Sequence, residues 1–353
     1  MPMLDQREQV ECAPWGLVLA AGDGRRMEGY IREVTGKLLP KQYVNFTGKH
    51  SMLEHTFRRT EKLIPAERIL TIVGRHHLDH SEVQRQLSSR PARTIIVQPD
   101  NKDTCPGILL PLMHLHKHAP EAIVAVFPSD HFILEENRFM EHVALAAQAV
   151  THDPSRIVLL AMEAQYPEVE YGYIVPREEH GPRNAWGLRS AARFVEKPDV
   201  ATAQQLVDGG GLWNTMTMVF HVGTVLKLLR RFCSATYRRF GRIYDAIGTP
   251  DEAKTTQEVY RNLKPVNFSK GFLEIVAASK PERIAILPVL HVFWSDWGSA
   301  RRLLQVREEL ADSMKKHQRA QAQILGTGEV GTKIREAFLP KQSSLLSGRL
   351  NRI

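Results

Sequence analysis

Short apolar runs alternate along this chain with longer stretches in which apolar positions recur every three or four residues. The runs at 16–20, 68–73, 94–97, 122–127, 156–161, 172–175, 191–195, 216–221 and 283–291 read as strands. The stretches at 51–63, 107–118, 137–150 and 201–207 have helical periodicity. This order predicts an α/β sheet with crossover helices, in which ligands sit beyond the carboxyl ends of the strands. Chemistry is therefore sought just after each apolar run.

The first run ends in LAAGDGRRM, residues 19–27, which reads as a strand entering a phosphate loop. Gly22 and Gly24 let the backbone turn sharply and approach a ligand, and Arg25 and Arg26 bring cations to it. The loop lacks the third glycine of GxGxxG and the GK[ST] of a Walker A loop, and a tight connection with surface arginines remains an alternative. Soon after this loop comes PKQ, whose Lys41 could meet the same phosphates, and later run ends carry QPDNKDTCPG from Gln98, PSDH with Asp130, EKP with Glu196 and Lys197, and WSDWGS with Asp296. Two aspartates at separate strand ends suit Mg²⁺, which leans on one or two carboxylates plus phosphates. Each aspartate taken singly also reads as a helix cap or turn residue.

Composition narrows the class. The 353 residues suffice for one large or two modest domains, and 43% hydrophobic with 24% charged residues is ordinary for a globular protein. A net charge of +8 favours an anionic partner such as a nucleotide, a sugar phosphate, nucleic acid or a membrane surface. The three cysteines, Cys12, Cys105 and Cys233, form no CxxC pair, which predicts a reducing compartment and no disulfide framework. The N-terminus is too polar for a signal peptide and no run approaches a membrane span, so a cytoplasmic location is expected.

Taken together, LAAGDGRRM, PKQY, QPDNKDTCPG, PSDH, PEVEYGYI, FVEKPD, WNTMTMVF and WSDWGS resemble, in order, the motifs of the sugar-1-phosphate nucleotidyltransferases, most closely the mannose-1-phosphate guanylyltransferases. The resemblance spans roughly Trp15 to Leu304. It implies a Rossmann-like, mixed but mostly parallel sheet flanked by helices, of the nucleotide-diphospho-sugar transferase type. Arg26, Lys41 and Lys197 would form the catalytic set, and Asp130 and Asp296 the metal ligands for Mg²⁺. Ala20, Ala21, Gly22, Gly24, Gln98, Thr104, Pro106 and Ser129 would bind the nucleotide, and Gly172, Glu196 and Asn214 the sugar. The implied reaction joins GTP and mannose 1-phosphate into GDP-mannose and pyrophosphate. No protein nucleophile is needed, because the attacking phosphate oxygen is already ionised. Alternatives are the same reaction with UTP or dTTP and a glucose-type sugar, or a non-catalytic sugar-nucleotide sensor.

Departures from the family pattern bear on specificity. The segment 28–36 is longer than the usual spacer, and a mobile flap is expected there. Glu170 replaces a glycine of PETGYGYI, and Met216 replaces the glycine of WNSG. The segment 267–274 lacks the aspartate typical of the mannose enzymes, and Gln98 stands where guanylyltransferases commonly have Glu. A Gln amide can read guanine, but also the imide edge of uracil or thymine.

Other features are set aside. His76, His77, Asp79 and His80 read as an exposed loop after a strand rather than a metal cluster. Trp294 and Trp297 suit either packing or stacking on substrate, and 209–211 reads as a hinge or helix stop. Residues 301–323 read as a charged helix, followed by a basic tail. The expected division is a catalytic domain at 1–305 and a C-terminal helix and tail at 306–353, with homo-oligomerisation one role for the appendage. Nucleic-acid and membrane partners are not expected, since aromatic residues are not interleaved with the basic ones.

Overall fold

The computed structural model describes residues 13–177 and 186–308. Eleven strands are present among them: β1 Trp15–Ala20, β2 Ile69–Gly74, β3 Ile95–Gln98, β4 Ile123–Pro128, β5 Phe132–Ile133, β6 Ile157–Glu163, β7 Gly172–Pro176, β8 Arg189–Glu196, β9 Leu212–His221, β10 Ile284–Pro288 and β11 Trp294–Ser295. Nine form one sheet in the order β3-β2-β1-β4-β9-β6-β10-β8-β7, and β5 pairs with β11 in a small antiparallel ribbon. All but β8 and β9 of the large sheet run in the same direction. Strand order reverses between β1 and β4, which places a crevice at their carboxyl ends.

Helices cover both faces. They are α1 Glu28–Thr35, α2 Met52–Thr60, α3 Ser81–Leu87, α4 Thr104–His118, α5 Glu136–His152, α6 Val200–Asp208, α7 Val222–Phe232, α8 Ser234–Ala246, α9 Glu252–Arg261 and α10 Glu274–Ser279. Alternate residues of β1 serve opposite layers: Val18 packs with Phe57 and Val143, while Leu17 packs with Leu109 and Leu226. That is why the central strands read as continuous apolar runs, all six residues of β2 being buried. The start of α2 is legible in sequence: Ser51 Oγ accepts from Glu54 N at 3.1 Å, and Glu54 Oε2 accepts from Ser51 N at 2.7 Å.

Three expectations need correction. The flap expected at 28–36 is a helix, with Ile31 buried, the Thr35 hydroxyl donating to Ile31 O at 2.7 Å, and Gly36 closing it at φ 69°. The strand expected at 283–291 stops at Pro288, and the one expected at 216–221 begins four residues earlier, at Leu212. Between 222 and 261 three helices carry no expectation, although Val222, Val225, Leu226 and Leu229 are buried at helical spacing. Gly209–Gly211 is a helix stop, with Gly211 N donating to Leu206 O at 2.7 Å. The appendage expected at 306–353 lies outside the described residues except for 306–308, which continue a helix from residue 300.

Candidate active site

The loop after β1 is held from below by the PKQY segment. Gln42 Nε2 donates to Ala20 O at 2.9 Å and Gly22 O at 2.8 Å, and the Tyr43 hydroxyl donates to Ala20 O at 2.9 Å. Gly24 sits at φ 64°, and a Cβ there would stand 2.9 Å from the backbone nitrogen of Lys41, so only glycine lets the loop close onto that turn. Gly22 is not left-handed and a Cβ there would meet nothing within 4 Å, so the sharp turn expected of both glycines belongs to Gly24. Ala21 is buried, and Gln42, to which the sequence reading gave no role, fixes the loop's carbonyls.

Lys41 links the two expected metal ligands. It is 5% exposed, its Nζ lies 3.0 Å from Asp130 Oδ2, and it donates to the carbonyls of Asp296 at 2.5 Å and Trp297 at 3.3 Å. Asp130 follows β4 and Asp296 follows β11, so the β5–β11 ribbon carries the second carboxylate to the first. Asp296 Oδ1 accepts from the Tyr171 hydroxyl at 3.0 Å, from Gly298 N at 2.9 Å and from Arg302. Arg302 also pairs with Glu168 at 2.6 Å. Burial opposes ionisation of both aspartates. Lys41, with His131 beside Asp130 and Arg302 beside Asp296, outweighs it and holds both below the usual carboxylate range. Tyr171 and Arg302 were not anticipated. Tyr171 lies inside a noted motif, whereas nothing marks Arg302 six residues after the aspartate it anchors.

Lys41 and Asp130 face an open cleft of about 600 Å³, lined also by Asp23, Gly24, Arg25 and Arg26 among others. Arg26 pairs there with Glu170. Two ionised oxygen donors, with the Asp130 side chain 37% exposed, fit a hard divalent cation.

The sugar-side residues meet across three strands. Gly172 pairs in register with Glu196, and a Cβ on it would lie 2.5 Å from Glu196 Oε2 and 3.5 Å from Asn214 Cβ. Burial pushes the Glu196 carboxyl up to about 7; Lys197 and a hydrogen bond from Ser269 oppose that and nearby Glu274 adds to it. Asn214 Oδ1 accepts from Met216 N at 3.1 Å, while its buried Nδ2 has no partner. Met216 is left-handed at φ 56°, the conformation that explains a glycine in relatives. Lys197, at φ 48°, is exposed and tied by its backbone nitrogen to Tyr171 O at 3.1 Å.

On the base side, Gln98 ends β3 at 1% exposure, and its Oε1 has no hydrogen-bond partner. Thr104 Oγ1 accepts from Phe268 N at 2.8 Å, Pro106 O accepts from Tyr260, and the Ser129 hydroxyl donates to Leu19 O at 2.6 Å. The hydroxyls of Thr104 and Ser129 are thus engaged in holding the scaffold. Trp297 is fully buried and stacks on Phe132 at 4.7 Å, and Trp294 donates to His131 at 3.1 Å, so both act in packing.

In the histidine run, His76 and Asp79 are exposed as expected, but His77 is not. His77 is fully buried, and a carboxylate reaches it from the glycine loop: Asp23 Oδ1 lies 3.1 Å from His76 Nε2 and 3.6 Å from His77 Nε2. Burial and the neighbouring His76 lower the His77 pKa to about 4, so the ring is neutral near pH 7.

The chain belongs to the nucleotidyl transferase family, which it matches over residues 15–313. That match and the relatives that follow define the class as the sugar-1-phosphate nucleotidyltransferases, whose members generally depend on a divalent metal. The chain is 29% identical over 296 residues to the xanthan biosynthesis protein XanB of Xanthomonas campestris pv. campestris (strain B100), covering 83% of this chain and 59% of that protein. It is 25% identical over 300 residues to mannose-1-phosphate guanylyltransferase 2 of Escherichia coli O157:H7, covering 82% of this chain and 59% of that one. It therefore spans about three fifths of the length of the curated relatives it matches. Among solved structures, mannose-1-phosphate geranyltransferase from Thermus thermophilus superposes with a TM-score of 0.68 at 28% identity, covering 82% of this chain and 78% of that one. Among the described residues, no helix is long and apolar enough to cross a membrane.

Proposed function

We propose that this chain transfers a guanylyl group from GTP to mannose 1-phosphate, yielding GDP-mannose and pyrophosphate. The observation that carries the reading is Lys41, buried with its ammonium 3.0 Å from the Asp130 carboxylate and bonded to the backbone carbonyl of Asp296, facing the glycine loop with Arg26. A sugar-phosphate oxygen forms a bond to the α-phosphorus in line, and the bond to the β-phosphate breaks. Two polyanions must approach, so Arg26 and Lys41 offset their repulsion and Lys197 holds the sugar phosphate. Asp130 and Asp296 would hold Mg²⁺, which when bound neutralises phosphate charge. Glu196 and the unpartnered Nδ2 of Asn214 meet sugar hydroxyls, in a pocket that Gly172 keeps open.

Base choice rests on Gln98. Its buried, unpaired Oε1 calls for an N–H donor, which guanine N1–H supplies. The imide N–H of uracil or thymine also meets that demand, which keeps a UTP or dTTP enzyme as the second reading. In either case residues 1–305 are the catalytic unit, working in the cytoplasm where nucleotides and sugar phosphates are available.

The test is pyrophosphate release with Mg²⁺, crossing GTP, UTP, dTTP, CTP and ATP against mannose, glucose and N-acetylglucosamine 1-phosphates. Release confined to GTP with mannose 1-phosphate is expected. Release with another pair replaces the substrates and keeps the reaction, and no release with any pair overturns the reading.

A further inference from the structure

Asp23 Oδ1 and His76 Nε2 meet at 3.1 Å, but the neighbouring ring nitrogen His77 Nε2 is left without a partner. Tyr43 has a single hydroxyl proton, and it is committed to Ala20 O at 2.9 Å, so its oxygen accepts from His77 Nδ1–H at 3.3 Å. With its proton on Nδ1, the ring carries its lone pair on Nε2. That atom is buried, has no hydrogen-bond partner, and points at Asp23 Oδ1 from 3.6 Å. A buried ring nitrogen without a hydrogen-bond partner costs free energy. The other carboxylate oxygen, Oδ2, is already engaged by Asn101 Nδ2 at 3.2 Å and Arg25 Nη2 at 3.4 Å. Asp23 thus presents one oxygen to protein donors and the other to two imidazoles.

We propose that Asp23, His76 and His77 form a binding site for one divalent transition-metal ion of the zinc class, which pins the glycine loop to the loop following β2. The three ligand atoms lie within 4.8 Å of one another. Ligands about 2.0–2.1 Å from a tetrahedral ion stand roughly 3.3 Å apart, so the separations of 3.1 and 3.6 Å from Asp23 Oδ1 already bracket the required edge. Two imidazoles and one carboxylate select Zn²⁺, Co²⁺ or Ni²⁺ over Mg²⁺, which prefers an all-oxygen shell. Tyr43 orients His77 through its far nitrogen, the arrangement that fixes tautomer and ring angle in metal sites. The site is separate from the Asp130–Asp296 pair and does not depend on the proposed reaction. Asp23 also lines the nucleotide cleft, so the ion would set the position of the loop.

The test uses the full chain stripped with chelator, then titrated with Co²⁺ in excess Mg²⁺ so that oxygen-only sites are occupied. One equivalent of Co²⁺ with the intense visible bands of a four-coordinate site is expected, displaced by Zn²⁺. Zn²⁺ should also raise the melting temperature. His76→Ala, at a side chain 53% exposed, should fold normally and bind Co²⁺ at least about 10-fold more weakly. Tyr43→Phe, which leaves all three ligands in place, should weaken binding about 10–100-fold. Absence of the visible bands in the wild-type protein, or a His76→Ala protein that binds Co²⁺ as the wild type does, overturns the proposal.

Discussion

Arg26 donates to a carboxylate oxygen of Glu170, a residue 144 positions further along the chain that stands where relatives carry glycine. The arginine expected to hold the triphosphate is thus already paired with an anion. Both side chains are about half exposed, so the pair is screened and weak, on the order of 0.5–1 kcal/mol. A nucleotide must displace Glu170 to reach Arg26. Glu170→Gly should lower the KM for the nucleotide about 2–5-fold at low salt with kcat little changed. The gain should shrink as ionic strength rises, and a salt-independent change would point to a steric effect instead.

Asp130→Ala removes the carboxylate paired with Lys41 but leaves that lysine its carbonyl acceptors at Asp296 and Trp297. The fold should survive, with an unchanged far-ultraviolet circular dichroism spectrum, while kcat for pyrophosphate release falls by about 10²-fold or more. Undiminished turnover would rule Asp130 out of the reaction.

Glu196 ties stability to pH. With its carboxyl raised from 4.5 to about 7, the folded chain holds this proton more tightly than the unfolded chain does. Between those values the folded state binds more protons, so this residue's contribution to stability falls as pH rises. The loss is roughly 3 kcal/mol and is complete about one unit above pH 7. Glu196→Gln should therefore gain stability relative to wild type at pH 8 and little at pH 4, read as melting temperatures across the range. The same variant should raise the KM for the sugar phosphate.

The left-handed backbone at Met216 reverses the usual rank of alanine and glycine. Met216→Ala and Met216→Gly lose the same side chain packing, but only glycine adopts φ 56° without steric cost. Met216→Gly should be about 1 kcal/mol more stable than Met216→Ala in urea denaturation. The opposite order would mean that the bulge in β9 relaxes when the side chain is cut back.

Much of this architecture is written in local pattern. Apolar runs are what a sheet covered on both faces demands, so seven of the nine large-sheet strands lie within two residues of where they were expected. Asp130 and the glycine loop are legible because each follows a strand, where the fold exposes it. Other features depend on pairing across the chain and have no local signature. Arg302 matters only because Asp296 and Glu168 converge on it, and Gly172 only because Glu196 lies opposite in the next strand. The histidine run read as wholly exposed because no carboxylate close to it in sequence pairs with His76 or His77. Asp23 does so from 53 residues away, once β1 and β2 lie side by side. Local sequence determined the strands, the loop and the candidate chemistry, since backbone and burial preferences act over a few residues. Which charges meet, which acceptors are left unpaired and which glycines are obligatory were decided only by the packed sheet, which brings distant residues within a few ångströms.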